Sequence, residues 1–260
     1  MIDELWRPPP RKEPGVYWHV TDRKLPEYFK YYCNWGFTIY RTHYSHESHE
    51  HWGMLLDALK RQTYLALGYL DDEELYKEDV ERNGRGYKFF YKTQAEYRID
   101  LNRLKQLFHL DPREDPALLG GLDIPQLRKV CLNEHPGAQR TMAGAMFCFA
   151  LVADEAVLKD IAKGEFVVKV VAYDWKEGGD YFGWMRIPTG YLLELWHSLM
   201  MTIDHPHRVL RFDGPEEDLH EHIWPGDPAA NPSGNCSEIR PGFFHYSAQE
   251  PMFSVEKKNK

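Results

Sequence analysis

The sequence predicts an α+β protein in which helices cover a mixed or antiparallel sheet. Short runs rich in β-branched and aromatic residues are typical of strands, and they alternate with segments whose apolar residues recur at helical spacing. Hydrophobic residues make up 43% and charged residues 28% of the 260 residues, which are ordinary values for a globular protein. A chain of this length can form a large core without disulfides or metals.

The first ordered unit is predicted to be a strand followed by a helix. Residues 35–40 are rich in aromatic and β-branched side chains, and the run ends at Arg41. Ser48 is expected to be the N-cap of the helix. The apolar stripe of this helix consists of Trp52, Leu55, Leu56 and Leu59.

Proline and glycine divide the middle of the chain. The charged stretch 71–86 contains glycine and is expected to be a surface loop, and 87–91 a short strand. Apolar spacing predicts a helix over 99–109. Pro125 suits the first turn of a further helix, which is expected to end near Asn133 because a His-Pro-Gly run follows.

The clearest pattern lies between residues 147 and 200. Three apolar strands are predicted, with a helix between the first and second and another helix after the third. This order is partly ferredoxin-like, and it predicts that helices cover one face of the sheet. The strands are expected at 147–152, 166–172 and 181–187. Asp154 is expected to be the N-cap of the first helix, which ends at Gly164, and Thr189 is expected to be the N-cap of the second helix.

We predict three regions along the chain. Residues 1–33 contain three consecutive prolines and are expected to form an irregular N-terminal arm. Residues 34–204 are expected to form the α+β core domain. Residues 205–260 are rich in Pro, Gly, Asp, His and Asn, which predicts an irregular tail, and aromatic residues within it favour wrapping around the core.

Composition and charge disfavour several locations and partners. The chain starts without an apolar segment of the secretory type, and no run of 18 apolar residues occurs, so we expect no membrane partner. The four cysteines are widely spaced, which favours reduced thiols in a cytoplasmic protein. A net charge of −8 disfavours nucleic acid, with tRNA as the one exception that we retain below.

The sequence predicts neither a cofactor nor a metal. The common hydrolase, phosphate-loop, dinucleotide and zinc-protease motifs do not occur. Four histidines follow the first strand, but their spacing fits no standard metal motif and the segment reads as an exposed loop. A second histidine cluster lies at 205–207 and 220–222. We retain His43, the first of the four (His43, His46, His49 and His51), as a candidate for acid–base catalysis.

Arg41 is the leading candidate for both catalysis and ligand binding. It ends an apolar strand, where a guanidinium group is costly to bury without an anionic partner. One interpretation is a clamp for a carboxylate or phosphate in a pocket at the strand end. The other is an internal ion pair with Asp174, Glu155 or another acid.

Two tryptophans and a carboxylate form the second candidate site. Asp174 and Trp175 follow one predicted strand, and Trp184 lies at the beginning of the next. Aromatic side chains beside a carboxylate can form a site for a planar or cationic ligand, with Trp175 and Trp184 as its walls and Asp174 as a catalytic candidate. Packing in the core is the alternative role of these rings.

Several segments between residues 34 and 200 carry a resemblance to known sequences. They are Trp35-Gly36-Phe37-Thr38-Ile39-Tyr40-Arg41-Thr42 followed by a helix with Trp52, 115–121 before the helix with Leu127-Arg128, 149–155, Val168-Lys169-Val170-Val171, Gly183-Trp184-Met185-Arg186-Ile187 and the helix that contains Leu192 and Trp196. Through these segments the chain resembles a large family of uncharacterised proteins from filamentous fungi. The resemblance implies a fungal intracellular protein and no particular activity.

The chain is also slightly similar to the fungal arginine-containing cyclodipeptide synthases. The similarity is confined to Asp71-Asp72-Glu73-Glu74, and the final carboxylate of the D-D-x-x-E motif is replaced by Leu75. Such an enzyme would need a basic stripe for tRNA, for which Arg82, Arg85, Lys88, Lys92 and Arg98 are the candidates.

Three functional hypotheses therefore remain from the sequence. The leading one is a protein with a small-molecule pocket beside the first strand, or a tailoring enzyme of specialised metabolism, anchored by Arg41. The second is a non-catalytic module that binds a protein partner through exposed aromatic residues and the tail. The third is an acyl transferase that uses aminoacyl-tRNA.

Overall fold

The computed structural model describes residues 2–7, 9, 22–68, 94–138, 147–178, 181–202 and 206–226. Several sequence-based predictions lie outside these residues. They are the acidic loop 71–86, the strand 87–91, four of the five basic residues proposed for tRNA, His205 and the tail beyond residue 226.

Five strands form one mixed sheet, which confirms the α+β class. They are β1 (Trp35–Arg41), β2 (Phe108–Arg113), β3 (Phe149–Ala153), β4 (Val167–Ala172) and β5 (Trp184–Pro188). Their order across the sheet is β2-β1-β3-β4-β5. The first three are parallel to one another, whereas β4 is antiparallel to both β3 and β5.

The predicted order strand–helix–strand–strand–helix is present, but its pairing differs from a ferredoxin-like unit. In that unit the two strands joined by a helix are parallel and a third strand lies between them. Here β3 and β4 are joined by a helix and are antiparallel neighbours, with Phe149 opposite Ala172. The short helix therefore returns the chain directly to the adjacent strand.

Six α-helices occur in the described ranges. None of them combines the length and the apolar character that a membrane crossing requires. Their bounds are α1 (His46–Gly68), α2 (Gln94–Leu107), α3 (Pro116–Leu119), α4 (Ile124–Ala138), α5 (Glu155–Ala162) and α6 (Leu192–Met201).

Helices cover both faces of the sheet, so the prediction of one covered face is wrong. Strand side chains alternate between the faces, and Ile39 and Tyr40 of β1 accordingly belong to different cores. The larger core joins the sheet to α1, α2, α5 and α6. The smaller core joins it to α3 and α4 through Leu119, Leu127 and Cys131.

The beginning of α1 lies earlier than the sequence predicted. Ser45 is the N-cap residue, since its Oγ accepts the backbone N–H of Ser48 at 3.1 Å, and the Ser48 Oγ accepts the backbone N–H of Ser45 at 2.7 Å. This reciprocal pair is a capping box in which serine replaces the usual Glu or Gln. Ser48, predicted as the cap, is therefore inside the first turn. The predicted apolar stripe is confirmed by the burial of Trp52, Leu55 and Leu59.

Two other helix boundaries were predicted wrongly for physical reasons. Phe108 was assigned to a helix, but it begins β2, where its ring packs 4.8 Å from that of Trp35. Pro112 is accommodated in β2 because this strand has a neighbour on one side only in the described sheet. Helix α4 runs through the predicted stop at His135-Pro136-Gly137 to Ala138.

Thr189 does not cap the helix that follows it. Its hydroxyl donates to Oε1 of Gln62 at 2.7 Å, and its backbone N–H donates to the carbonyl of Phe166. A 3-10 turn at Thr189–Tyr191 leads into α6. The hydroxyl thus connects α1 to the end of the sheet instead of satisfying a helix N-terminus.

The described parts of both chain ends contact the core. Ile2 and Leu5 are buried, and Trp6 forms an isolated bridge with Tyr32. Near the other end, the backbone N–H of Trp224 donates to the carbonyl of Arg186 in β5 at 2.8 Å. The remaining short 3-10 turns lie at Ile2–Leu5, Asp22–Lys24, Pro26–Tyr31, Pro206–Arg208 and Glu216–His220.

Candidate functional site

The candidate site lies at the carboxyl ends of β1 and β2, and we call the region between the loops that follow these two strands the crevice. After β1 the chain enters α1 on one face of the sheet, and after β2 it enters α3 and α4 on the other face. The loops that follow two adjacent parallel strands therefore diverge at this point. In open sheets with parallel strands, such divergence leaves a space in which ligands commonly bind.

Arg41 lies at the base of this crevice and is 3% exposed. Its Nε donates to the carbonyl of His43 and its Nη2 to the Oγ of Ser48, each at 3.0 Å. Its Nη1 lies 3.4 Å from Nδ1 of His49. The Cζ atom also lies 4.8 Å from the ring centroid of Tyr44. The guanidinium group is consequently held by the loop after β1 and the first turn of α1.

The charge of Arg41 is compensated by Glu114, from the loop that follows β2. Nη1 of Arg41 lies 3.0 Å from Oε2 of Glu114, whose side chain is 40% exposed. The acid is therefore neither Asp174 nor Glu155, the two partners named from the sequence. Glu114 is the only carboxylate that pairs with Arg41 in the described part of the chain. The ion pair bridges the two walls of the crevice.

Tyr44 and Asp115 fix the geometry of the same two walls. The Tyr44 hydroxyl donates to the carbonyl of Arg41 at 2.8 Å and accepts the backbone N–H of Asp115 at 2.9 Å. Partial burial raises the pKa of Tyr44, so its hydroxyl stays protonated and can serve both bonds. The Asp115 carboxylate accepts the N–H groups of Ala117 and Leu118 and thereby caps α3. The crevice is thus formed by residues with defined partners.

The histidines after β1 do not form a loop. His46, His49 and His51 lie in the first turns of α1, where they line a shallow surface hollow together with Glu47 and Glu50. His43 precedes the helix. The pKa of Glu155 is lowered mainly by its hydrogen bond and ion pair with Lys159, with a smaller electrostatic contribution from His43. Within the described ranges, no three His, Cys, Asp or Glu residues are grouped as metal ligands.

His220 and His222 of the second histidine cluster lie at the β5 edge of the sheet. His220 packs against the ring of Trp184, with centroids 5.1 Å apart, and His222 packs against Phe212 at 4.6 Å. Strands β3 and β4 separate this edge from β1. The structure therefore does not bring these histidines to the cluster on α1.

The sheet also separates Arg41 from the aromatic candidates. Arg41 is opposite Ala153, whereas Trp184 is opposite Val171, near the other end of the strands. From the strand spacings, Trp184 lies at least about 10 Å away along the strands and about 14 Å away across them. Asp174 and Trp175 follow β4 at that distant end. These predicted residues do not form one site with Arg41.

Trp175 is already covered by a cation from the same chain. Cζ of Arg128 lies 4.4 Å from the Trp175 ring centroid, and this guanidinium donates to the carbonyls of Ala172, Phe182 and Gly183. Burial lowers the pKa of Arg128. The indole N–H of Trp175 donates to the carbonyl of Tyr181 at 2.7 Å. The predicted ligand cage is therefore occupied by Arg128.

Trp184 has internal partners on its ring as well. It is 6% exposed, and Nζ of Lys169 lies 5.2 Å from its ring centroid. Lys169 also forms an ion pair with Asp154, the N-cap residue of α5. The packing alternative thus describes Trp184, and a cation of the same chain lies against each of the two rings.

Sequence reasoning missed Glu114, Arg128 and Cys131. Glu114 is 73 positions from Arg41, and no local pattern connects them. Cys131 lies beside Tyr40, whose hydroxyl donates to Glu134 at 2.8 Å. Burial raises the pKa of Cys131 to about 12, so this thiol is neutral at ordinary pH. In the sequence, only the positions of Arg128 and Cys131 along the predicted helix indicated that these two side chains face the sheet.

Comparisons of the chain with protein-family models, with curated proteins and with solved structures gave no match.

Proposed function

We propose that this protein binds a small molecule in the crevice at the carboxyl ends of β1 and β2. The observation that carries the proposal is the divergence of the two loops: α1 lies on one face of the sheet and α3 and α4 lie on the other. In sheets with parallel strands, ligands commonly bind where the loops after adjacent strands diverge in this way.

The polar side chains of the crevice support the same proposal. Arg41 is buried and directed by three neighbours, Glu114 is partly exposed, and His49 contacts the guanidinium from the first turn of α1. A few well-placed polar groups on regular elements are what orient a small ligand. We keep the hypothesis from the sequence that this ligand belongs to specialised metabolism and is either bound or chemically modified by the protein.

Affinity selection tests this proposal. The protein is incubated with fungal metabolite extracts, separated from free compounds by ultrafiltration, and its bound compounds are identified by mass spectrometry. We expect at least one compound to be retained by the wild type and lost in His49→Trp, because the indole would occupy the crevice. Lys129→Trp is the control, since it adds the same ring to an exposed position on α4. Equal retention by both variants, or no retained compound, would contradict the proposal.

The other two hypotheses receive no comparable support from the described residues. The large exposed hydrophobic side chains lie on seven different segments, as scattered apolar residues do on ordinary surfaces. Of the five basic residues considered for tRNA, only Arg98 lies in the described ranges. A protein-binding module and a tRNA-dependent transferase therefore stay predictions from the sequence. The seven exposed hydrophobic residues are Leu25, Tyr64, Ile99, Leu118, Leu132, Met201 and Ile223.

A further inference from the structure

A buried hydrogen-bond donor without an acceptor lies near Arg41. The ring of Trp52, from α1, lies 5.9 Å from Cζ of Arg41, and Trp52 is 2% exposed. Its indole N–H has no acceptor among the residues that the structure describes. A buried N–H without a partner is costly by about 1–3 kcal/mol. A ligand oxygen atom that reached this N–H would supply the acceptor that it lacks.

The ion pair with Glu114 constrains the buried guanidinium group of Arg41 only weakly. Only Oε2 of Glu114 contacts the guanidinium, through Nη1, so the pair is not bidentate. Glu114 is also 40% exposed, and its carboxylate can therefore rotate into water without leaving a buried charge of its own. Arg41, at 3% exposure, cannot do the same. Glu114 is thus the exchangeable member of the pair.

We propose that the ligand of the crevice carries a carboxylate that replaces Glu114 on Arg41 and accepts a hydrogen bond from Trp52. This inference rests on the proposed function and specifies its ligand class. Exchange of one carboxylate for another leaves the buried guanidinium compensated, whereas displacement by a neutral group would leave it unpaired. A carboxylate has two oxygens and can accept from the guanidinium and from the indole at once.

The indole resonance of Trp52 in a ¹H–¹⁵N correlation spectrum provides the test, and Trp52→Phe assigns it. The probes are two pairs of similar shape and different charge, acetate with acetamide and benzoate with benzamide, at constant ionic strength adjusted with sodium chloride. We expect the carboxylates to shift this resonance in a saturable manner and the amides to leave it in place. An equal shift by acid and amide overturns the inference but leaves small-molecule binding intact. A resonance that neither acid moves also overturns the inference.

Two variants of equal charge change identify Glu114 as the group that is displaced. Glu114→Gln removes the competing carboxylate, so we expect the dissociation constant for benzoate to fall about tenfold. Glu50→Gln removes an exposed carboxylate from the same end of α1, and we expect a change of less than about twofold because exposed charges interact weakly. Equal effects of the two variants would show that the affinity for benzoate depends only on the overall negative charge of this region. That result would overturn the proposed exchange of the ligand carboxylate for Glu114.

Discussion

Gly183 provides a sharp test of the finding that Arg128 fills the face of Trp175. The backbone at Gly183 has a φ of +73°, a conformation that other residues adopt at a cost. A β-carbon at this position would lie 2.3 Å from Cγ of Trp175 and 2.5 Å from Nη2 of Arg128. Gly183→Ala must therefore strain the backbone and also separate the stacked guanidinium and indole.

The expected loss of stability follows from these two effects. The left-handed conformation costs a residue with a β-carbon about 1–2 kcal/mol. Loss of a partly desolvated cation–π contact costs about 1–2 kcal/mol more. Weakened bonds from Arg128 to the carbonyls at the end of the sheet add about 1 kcal/mol. We expect Gly183→Ala to lower the free energy of unfolding by about 3–5 kcal/mol.

Gly178 is the matched control for this measurement. Its φ is +87°, and a β-carbon there would meet no heavy atom within 4 Å. Gly178→Ala should therefore show the backbone cost alone, about 1–2 kcal/mol. Urea denaturation of both variants and the wild type at pH 7, monitored by tryptophan fluorescence and circular dichroism, gives the comparison. Equal losses in the two variants would refute the reasoning, because Arg128 would then not be held against Trp175.

Three further predictions concern ion pairing and titration. Glu114→Gln should lower the free energy of unfolding in urea by about 1–2 kcal/mol because Arg41 is buried, whereas Glu155→Gln, which breaks an exposed pair, should cost clearly less; a reversed order would contradict the assigned pairing. Burial raises the pKa of Cys131 to about 12, so the unfolded chain loses this proton first and stability should fall as the pH rises above about 9. Cys131→Ala should make that fall shallower, and an unchanged slope would argue against a buried neutral thiol. Burial lowers the pKa of His222, so the unfolded chain binds a proton first and stability should decrease as the pH falls below about 6.5; His222→Gln should reduce this decrease, and an identical pH profile would contradict the predicted titration.

Local sequence patterns predicted the elements whose side chains have one clear role. β3 and β4 are apolar runs of limited length bounded by polar residues, and both are almost wholly buried. Helix α5 was also predicted correctly, because Asp154 accepts the N–H of Val157 and Gly164 adopts a φ of +85° beyond its end. In each case the chemistry that defines the boundary lies within a few residues of it.

The errors occur where a distant contact decides the local structure. Phe108 continues the apolar spacing of α2, but its ring packs on Trp35 and Tyr64, and this packing favours the strand. Ser45 and Ser48 are both good capping residues, and the choice depends on Arg41, which donates to the Ser48 hydroxyl. Arg41 is separated along the chain from Ser48 by 7 positions and from Glu114 by 73. Spacing alone could therefore not identify these partners.

Arg41 and Arg128 explain why the candidate site was predicted only in part. A guanidinium near the end of a strand needs acceptors, and the sequence cannot distinguish those within the chain from those of a ligand. Arg128 donates to three backbone carbonyls and covers an indole, so an anion that entered there would disrupt the end of the sheet. At Arg41 the charge partner is the exposed side chain of Glu114, which can move into water, and the indole N–H of the nearby Trp52 has no acceptor among the described residues. The difference in what must move is the physical reason to search for the ligand at the crevice and not at the tryptophans.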